Sequence, residues 1–163
     1  MSTKTIYDFT KQTNSESWDV VDDTVMGGRS NGNFRITEEG HGLFHGYVTT
    51  ENNGGFSSIQ HKISKVQAQG FTKVAIMLKG DGKDYQFRIK AKSDDYYSYI
   101  ATFSTSGDWE EIIIPLEEMH PSYRGRDLNM SNFNQDSFEQ ITFLIGNKKK
   151  QNFELMIDKI QLK

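Results

Sequence analysis

The feature that most constrains the fold of this chain is a period of two in its apolar residues. In "KDYQFRIKA", residues 83–91, Tyr85, Phe87, Ile89 and Ala91 fall on one face while Gln86, Arg88 and Lys90 fall on the other. That is the spacing of a half-buried strand, and a helical turn of 3.6 residues would mix the two sets. Similar runs are "KVAIMLKG", "YSYIATFST", "WEEIIIPL", "QITFLIGN" and "FELMIDKIQLK", rich in the β-branched and aromatic residues that strands favour. No stretch reads as a long amphipathic helix. Roughly ten short strands separated by turn signals predict an all-β, antiparallel β-sandwich.

The turn chemistry is read in the same way. Asp81-Gly82 and Asn31-Gly32 each lie between strand-like runs and tolerate the positive φ angles of a type I′ turn, so each is expected to close a hairpin. Ser106-Gly107-Asp108 is expected to close a third, and Gly27-Gly28 to bend the chain. Pro115 should end the "EEIII" strand, where the lost ladder donor is tolerable. Lys148-Lys149-Lys150 reads as a solvated hairpin tip. The long polar connection from Glu117 to Glu139 is expected to be ordered around Tyr123, Phe133 and Phe138, and to carry at most one short helical turn near Asp136.

Composition narrows the function classes. A chain of 163 residues is read as one domain spanning 1–163, long enough to bury a core without staples. It contains no cysteine, which removes disulfides, thiolate metal clusters and a cysteine nucleophile. The net charge of −3, with 19 basic and 22 acidic residues spread along the chain, gives no reason to expect nucleic acid. The N-terminal "MSTKTIYDFTKQ" has no apolar core of a signal peptide, and no window approaches the ~18 apolar residues of a membrane span, so a cytoplasmic protein is expected.

Catalytic constellations find little support. His41 and His45 lie in the glycine-punctuated strand "GHGLFHGYV", where four residues span about 13 Å and cannot share one ion. Gly40, Gly42 and Gly46 do not match a dinucleotide fingerprint, and no G-x-S-x-G elbow occurs. The paired acids Asp22-Asp23, Asp94-Asp95, Glu110-Glu111 and Glu117-Glu118 point to opposite faces of an extended chain. No enzyme activity, cofactor or metal is therefore expected; Asp8 and Asp158 alone are too few oxygens for calcium.

"IYDF", Trp18, "VDDTVMGGRSNGNF", "GLFHGYVTTENNGGFSSI", "WEEIIIPLEEM" followed by "SYRGRDLN", and the closing "FELMIDKIQL" together resemble the NADH:ubiquinone oxidoreductase intermediate-associated protein 30 family, in order and over nearly the whole chain. The resemblance implies a galactose-binding-like jelly roll, related in architecture to family 11 carbohydrate-binding modules. It also implies a protein-binding role, since the mitochondrial member is an assembly factor that binds intermediates of respiratory complex I. The absence here of that member's transit peptide leads us to expect a bacterial or cytoplasmic homologue.

Two readings stand for each motif. Asp22 or Asp23 clamps Arg29 as a carboxylate pairs with a guanidinium, or Met26 and Arg29 present an adaptable apolar contact and a strong donor to a partner. Ser30 and Ser57 share this ambiguity. In the long connection Tyr123, Arg124 and Arg126 are residue types enriched in interface hot spots, or the arginines pair with acids across a sandwich end. The alternative partner is a glycan, for which Tyr96, Tyr97 and Tyr99 with Gln86, Arg88 and Lys90 would form an aromatic and polar face; otherwise Tyr97, Tyr99 and Phe103 are core.

Overall fold

The computed structural model describes residues 2–22, 30–49, 55–146 and 149–163. Among these residues thirteen strands appear: β1 (Lys4–Asp8), β2 (Asp19–Asp22), β3 (Asn31–Ile36), β4 (Gly42–Val48), β5 (Ser57–Gln67), β6 (Lys73–Lys79), β7 (Asp84–Lys90), β8 (Ser98–Ser104), β9 (Trp109–Pro115), β10 (His120–Tyr123), β11 (Arg126–Asp127), β12 (Ser137–Ile145) and β13 (Gln151–Leu162). They form two antiparallel sheets. The six-stranded sheet runs β3-β4-β13-β6-β9, with β1 also paired to β13; the seven-stranded sheet runs β11-β10-β8-β7-β12-β5-β2. No helix among the described residues is long and apolar enough to cross a membrane.

The alternation seen in sequence is what builds the core. Tyr85, Phe87 and Ile89 of β7 are buried, and β12 adds Ile141 and Phe143 to the same inner face. Phe44, Ile76, Leu78 and Leu155 of the six-stranded sheet meet them in one apolar cluster. Each large apolar side chain so buried contributes about 1.5–3 kcal/mol. Strand β13 crosses the centre of its sheet with β6 along one side. On its other side it pairs first with β4, through Ile157, and then with β1 from Lys159 onward. The β6 register shifts between Ile157 and Lys159, where that partner changes, so one added residue lets a 12-residue strand serve three neighbours.

Several expected turns prove to be something else. Asn31-Gly32 lies inside β3, opposite Tyr47 and Gly46, and is not a hairpin turn. Asp81-Gly82 and Ser106-Gly107-Asp108 do reverse the chain, but β6 and β7, like β8 and β9, belong to different sheets. Local turn chemistry specifies the reversal, whereas burial of the next strand's apolar face decides which sheet it joins. The Lys148–Lys150 run likewise connects β12 to β13 across the sheets; Lys149 and Lys150 are exposed, and Lys148 lies outside the described residues. The short helical turn is at Leu116–Glu118, directly after Pro115 ends edge strand β9. Near Asp136 the chain instead bends into β12, the Asp136 carbonyl accepting from the Ala68 N–H at 2.7 Å. Phe133 and Phe138 are buried, as a packed connection requires.

The Asp81 turn is fastened by its own carboxylate. Asp81 accepts from the Tyr85 hydroxyl at 3.0 Å, from the Glu154 N–H of β13 at 2.8 Å and from Lys83 Nζ at 3.2 Å, so one side chain ties the two sheets together. Burial first, and then the Asp81 charge, push Tyr85's ionisation far above its ordinary range. Burial also pushes Tyr99 up to about 12, followed by its hydrogen bond to Tyr97. An unfolded tyrosine ionises near pH ~10, so the unfolded chain loses protons that the folded chain keeps, and stability falls as pH rises above that value. Urea unfolding from about pH 9 to about pH 11 should show this decline, and Tyr85→Phe should flatten it. Phe143→Ala should lower stability by about 3–5 kcal/mol in the same assay.

Candidate binding site

Asp22 ends β2, at one edge of the seven-stranded sheet, and faces β3 at the edge of the other sheet. Its two carboxylate oxygens accept the Gly32 N–H at 3.1 and 3.0 Å, and one also accepts from Ser57 Oγ at 2.5 Å. Ser57 is wholly buried, and neighbouring Ser58 donates to the Val21 carbonyl at 2.9 Å. A Cβ on Gly32 would come within 1.9 Å of Ser57 Oγ and 2.9 Å of the Asp22 carboxylate. Glycine is therefore needed here for close approach rather than for a turn. Ser30 is buried alongside, its Oγ accepting the Thr49 N–H at 3.4 Å. Asp22, Ser30 and Ser57 are thus occupied within the protein. The expected bend at Gly27-Gly28 and the partners proposed for this motif, Asp23, Met26 and Arg29, lie outside the described residues.

The other candidate residues form a hairpin at the opposite edge of the same sheet. Tyr123 of β10 pairs with Arg126 of β11 across a two-residue turn in which Arg124 (φ 49°) and Gly125 (φ 78°) both take positive φ. That is the signature of a type I′ turn. It projects Arg124 back over its neighbour, with the guanidinium carbon 5.3 Å from the Tyr123 ring centre. Tyr123 touches Tyr96 edge-on at 5.2 Å; contacts continue through Tyr97 and Tyr99 to buried Phe133, so the exposed aromatic pair is anchored in the core. Tyr96 is 62% exposed and Tyr123 38%. Among the described residues no carboxylate lies within ion-pair distance of Arg124 or Arg126, and the adjacent Asp127 faces His120 at 3.1 Å. Six strand spacings, about 29 Å at 4.8 Å each, separate this hairpin from Asp22, so the two groups cannot form one site.

The tyrosines and polar residues proposed as a shared sugar face are divided by the sheet. Strands β7 and β8 do pair, but Tyr99 and Phe103 point into the core with Phe87, while Gln86, Arg88 and Lys90 alternate to the outer side. An aromatic and polar face that the sequence reading did not single out as a binding surface occurs instead on the outside of the six-stranded sheet. There Asn31, Tyr47 and Asn152 form one cross-strand row and Asn33, His45 and Glu154 the next, lining a shallow depression of about 420 Å³. Alternation in β3 and β13 signals that these side chains face outward; only the register shows that they meet. His41 is turned elsewhere, 3.6 Å from Asp158 and 4.6 Å from the Trp109 ring, so the two histidines do not converge. Among the described residues no three metal-ligating side chains cluster.

Comparison with known proteins gives two results. The family described as complex I intermediate-associated protein 30 matches residues 7–157. Among solved structures, the family 11 carbohydrate-binding module from Clostridium thermocellum in complex with a β-1,3-1,4-mixed-linked tetrasaccharide is similar at 18% identity and a TM-score of 0.73, covering 98% of this chain and 94% of that one. The family 11 module of the cellulosomal cellulase Lic26A-Cel5E of Clostridium thermocellum is similar at 17% identity and a TM-score of 0.74, with 99% and 94% covered. A family 29 carbohydrate-binding module is similar at 11% identity and a TM-score of 0.56, with 99% and 87% covered. At these identities the likeness concerns the fold, an all-β jelly-roll sandwich.

The clasp predicts a cost for filling its gap. Gly32→Ala should destabilise the protein by about 1–3 kcal/mol, because the added methyl must displace Ser57 and Asp22 together; urea unfolding measures it.

Proposed function

The chain belongs to the complex I intermediate-associated protein 30 family, and from that premise we propose that it is a non-catalytic protein-binding module, an assembly or scaffold factor, whose contact surface is the β10–β11 hairpin. One observation supports this reading above the others: Arg124 stands over exposed Tyr123 beside exposed Tyr96, with no carboxylate partner among the described residues. Tyrosine and arginine dominate interface hot spots because a rigid ring buries area at low entropic cost and a guanidinium offers forked donors. Here the rings are already fixed by packing that reaches Phe133, so less ordering remains to be done on binding. The family name makes intermediates of respiratory complex assembly the first partners to test.

A second reading has a specific observation in its favour. Exposed Tyr47, flanked by the Asn31 and Asn152 amides with His45 and Glu154 beside it, offers a ring for the apolar face of a sugar and donors and acceptors for its hydroxyls. On this reading the protein is a glycan-binding module acting through the outer face of the six-stranded sheet.

Crosslinking in native lysate separates the two. Wild type should capture a defined partner that Arg124→Ala plus Arg126→Ala loses by tenfold or more, with unfolding free energy changed by no more than about 0.5 kcal/mol. Recovery of the same partners by both proteins would remove the hairpin from the binding surface. A glycan array run in parallel, positive for wild type and lost in Tyr47→Ala, would transfer the function to the second reading.

A further inference from the structure

The outer face of the seven-stranded sheet carries a charge arrangement that neither reading uses. Backbone register sets His120, Ile100, Arg88, Thr142, Gln60 and Asp19 side by side in one row across six strands. Two residues along, Lys90, Gln140 and Lys62 form the neighbouring row, so three cations surround the adjoining Gln140 and Thr142. Gln140 and Thr142 are only 4% and 5% exposed although, among the described residues, no third layer of strands covers this face. The polar floor is therefore recessed among longer side chains.

The cations are held without being neutralised. Arg88 donates from Nε at 2.9 Å and from Nη2 at 2.6 Å to the single Gln86 Oε1, a neutral brace that orients the guanidinium and leaves its charge in place. Among the described residues no carboxylate lies within ion-pair distance of Arg88, Lys90 or Lys62. Burial lowers Arg88's proton affinity. Burial also lowers that of Lys90; the Asp95 charge, next in size, opposes this, and the charges of Lys62 and Arg88 add to the lowering. Charged groups taken partly out of water with no carboxylate in ion-pair contact are costly, and an arriving anion would supply that contact. With Nε and one Nη2 hydrogen given to Gln86, the outer Nη1/Nη2 edge of the guanidinium is left to match an oxyanion with two acceptor oxygens. Gln60, Gln140 and Thr142, the two glutamines joined by a Gln140 Nε2 to Gln60 Oε1 bond of 3.5 Å, suit hydroxyl groups.

We propose that this recessed face, with Arg88 at its centre and Lys90 and Lys62 on either side of Gln140, is a binding site for an anionic saccharide, its carboxylate or phosphate group received by the Arg88 guanidinium. The site is independent of the β10–β11 hairpin and of the Tyr47 face.

The test uses three ligands that share one ring and differ in charge: D-glucuronate, D-glucose 6-phosphate and D-glucose. Titrations of the whole chain are followed by NMR at the Arg88 Nε–H and the Gln140 side-chain amide. One or both anions should shift these signals and bind at least about tenfold more tightly than glucose, with the better one naming the source of the oxyanion. Arg88→Gln should weaken binding about tenfold. Lys62→Gln plus Lys90→Gln, at exposed or half-buried positions, should do the same and serves if Arg88→Gln fails to fold. Arg124→Ala plus Arg126→Ala should leave the affinity unchanged. Glucose binding as tightly as the anions, neither anion moving the two signals, or affinity persisting in the lysine double variant would overturn the proposal.

Discussion

Everything else in this protein depends on two inner sheet faces closing on one another. Phe87 and Phe143 from one sheet and Phe44 and Leu155 from the other are wholly buried in a single cluster. That burial dictates where each successive strand must go: from β6 to β7, from β8 to β9 and from β12 to β13 the chain leaves one sheet for the other. Turns that would make hairpins elsewhere become bridges between the layers. Asp81 fastens one bridge, accepting from Tyr85, Lys83 and the β13 backbone. Asp22 performs the same task where β2 approaches β3, with Ser57 and Gly32 as its partners.

Once the inner faces are committed to packing, only edges and outer faces are left open to solvent. The aromatic and arginine hairpin stands at one edge of the seven-stranded sheet and the Asp22 clasp at the other. The first is exposed and lacks carboxylate partners among the described residues, whereas the second is internally satisfied. The two outer faces differ in character as well. One offers a tyrosine among amides; the other sets three cations around a buried glutamine.

How far the sequence reaches can be judged residue by residue. The faces of β7, the end of β9 at Pro115 and the packing of Phe133 and Phe138 follow from local pattern and hold in the structure. Asn31-Gly32 misleads, because the same dipeptide serves a turn by its positive φ or a close approach by its missing side chain, and only the positions of Ser57 and Asp22 show which. The type I′ turn forms instead at Arg124-Gly125, whose arginine is an uncommon choice for that conformation. Tyr99 and Arg88 lie on paired strands yet on opposite faces, which the parity of each strand contains but which pairing alone does not reveal.

By itself the sequence determined the class of fold, the inward and outward sides of its strands and its family, because strand periodicity and motif order are local properties written in consecutive residues. Tertiary structure decided which strands share a sheet, in what register, and so which outward side chains become neighbours. Asn31, Tyr47 and Asn152, or Lys90, Gln140 and Lys62, are brought together only by hydrogen bonding between strands distant in the chain. Such pairing is chosen by burial of the opposite face, so the surfaces that could recognise a ligand are set by residues that never touch it.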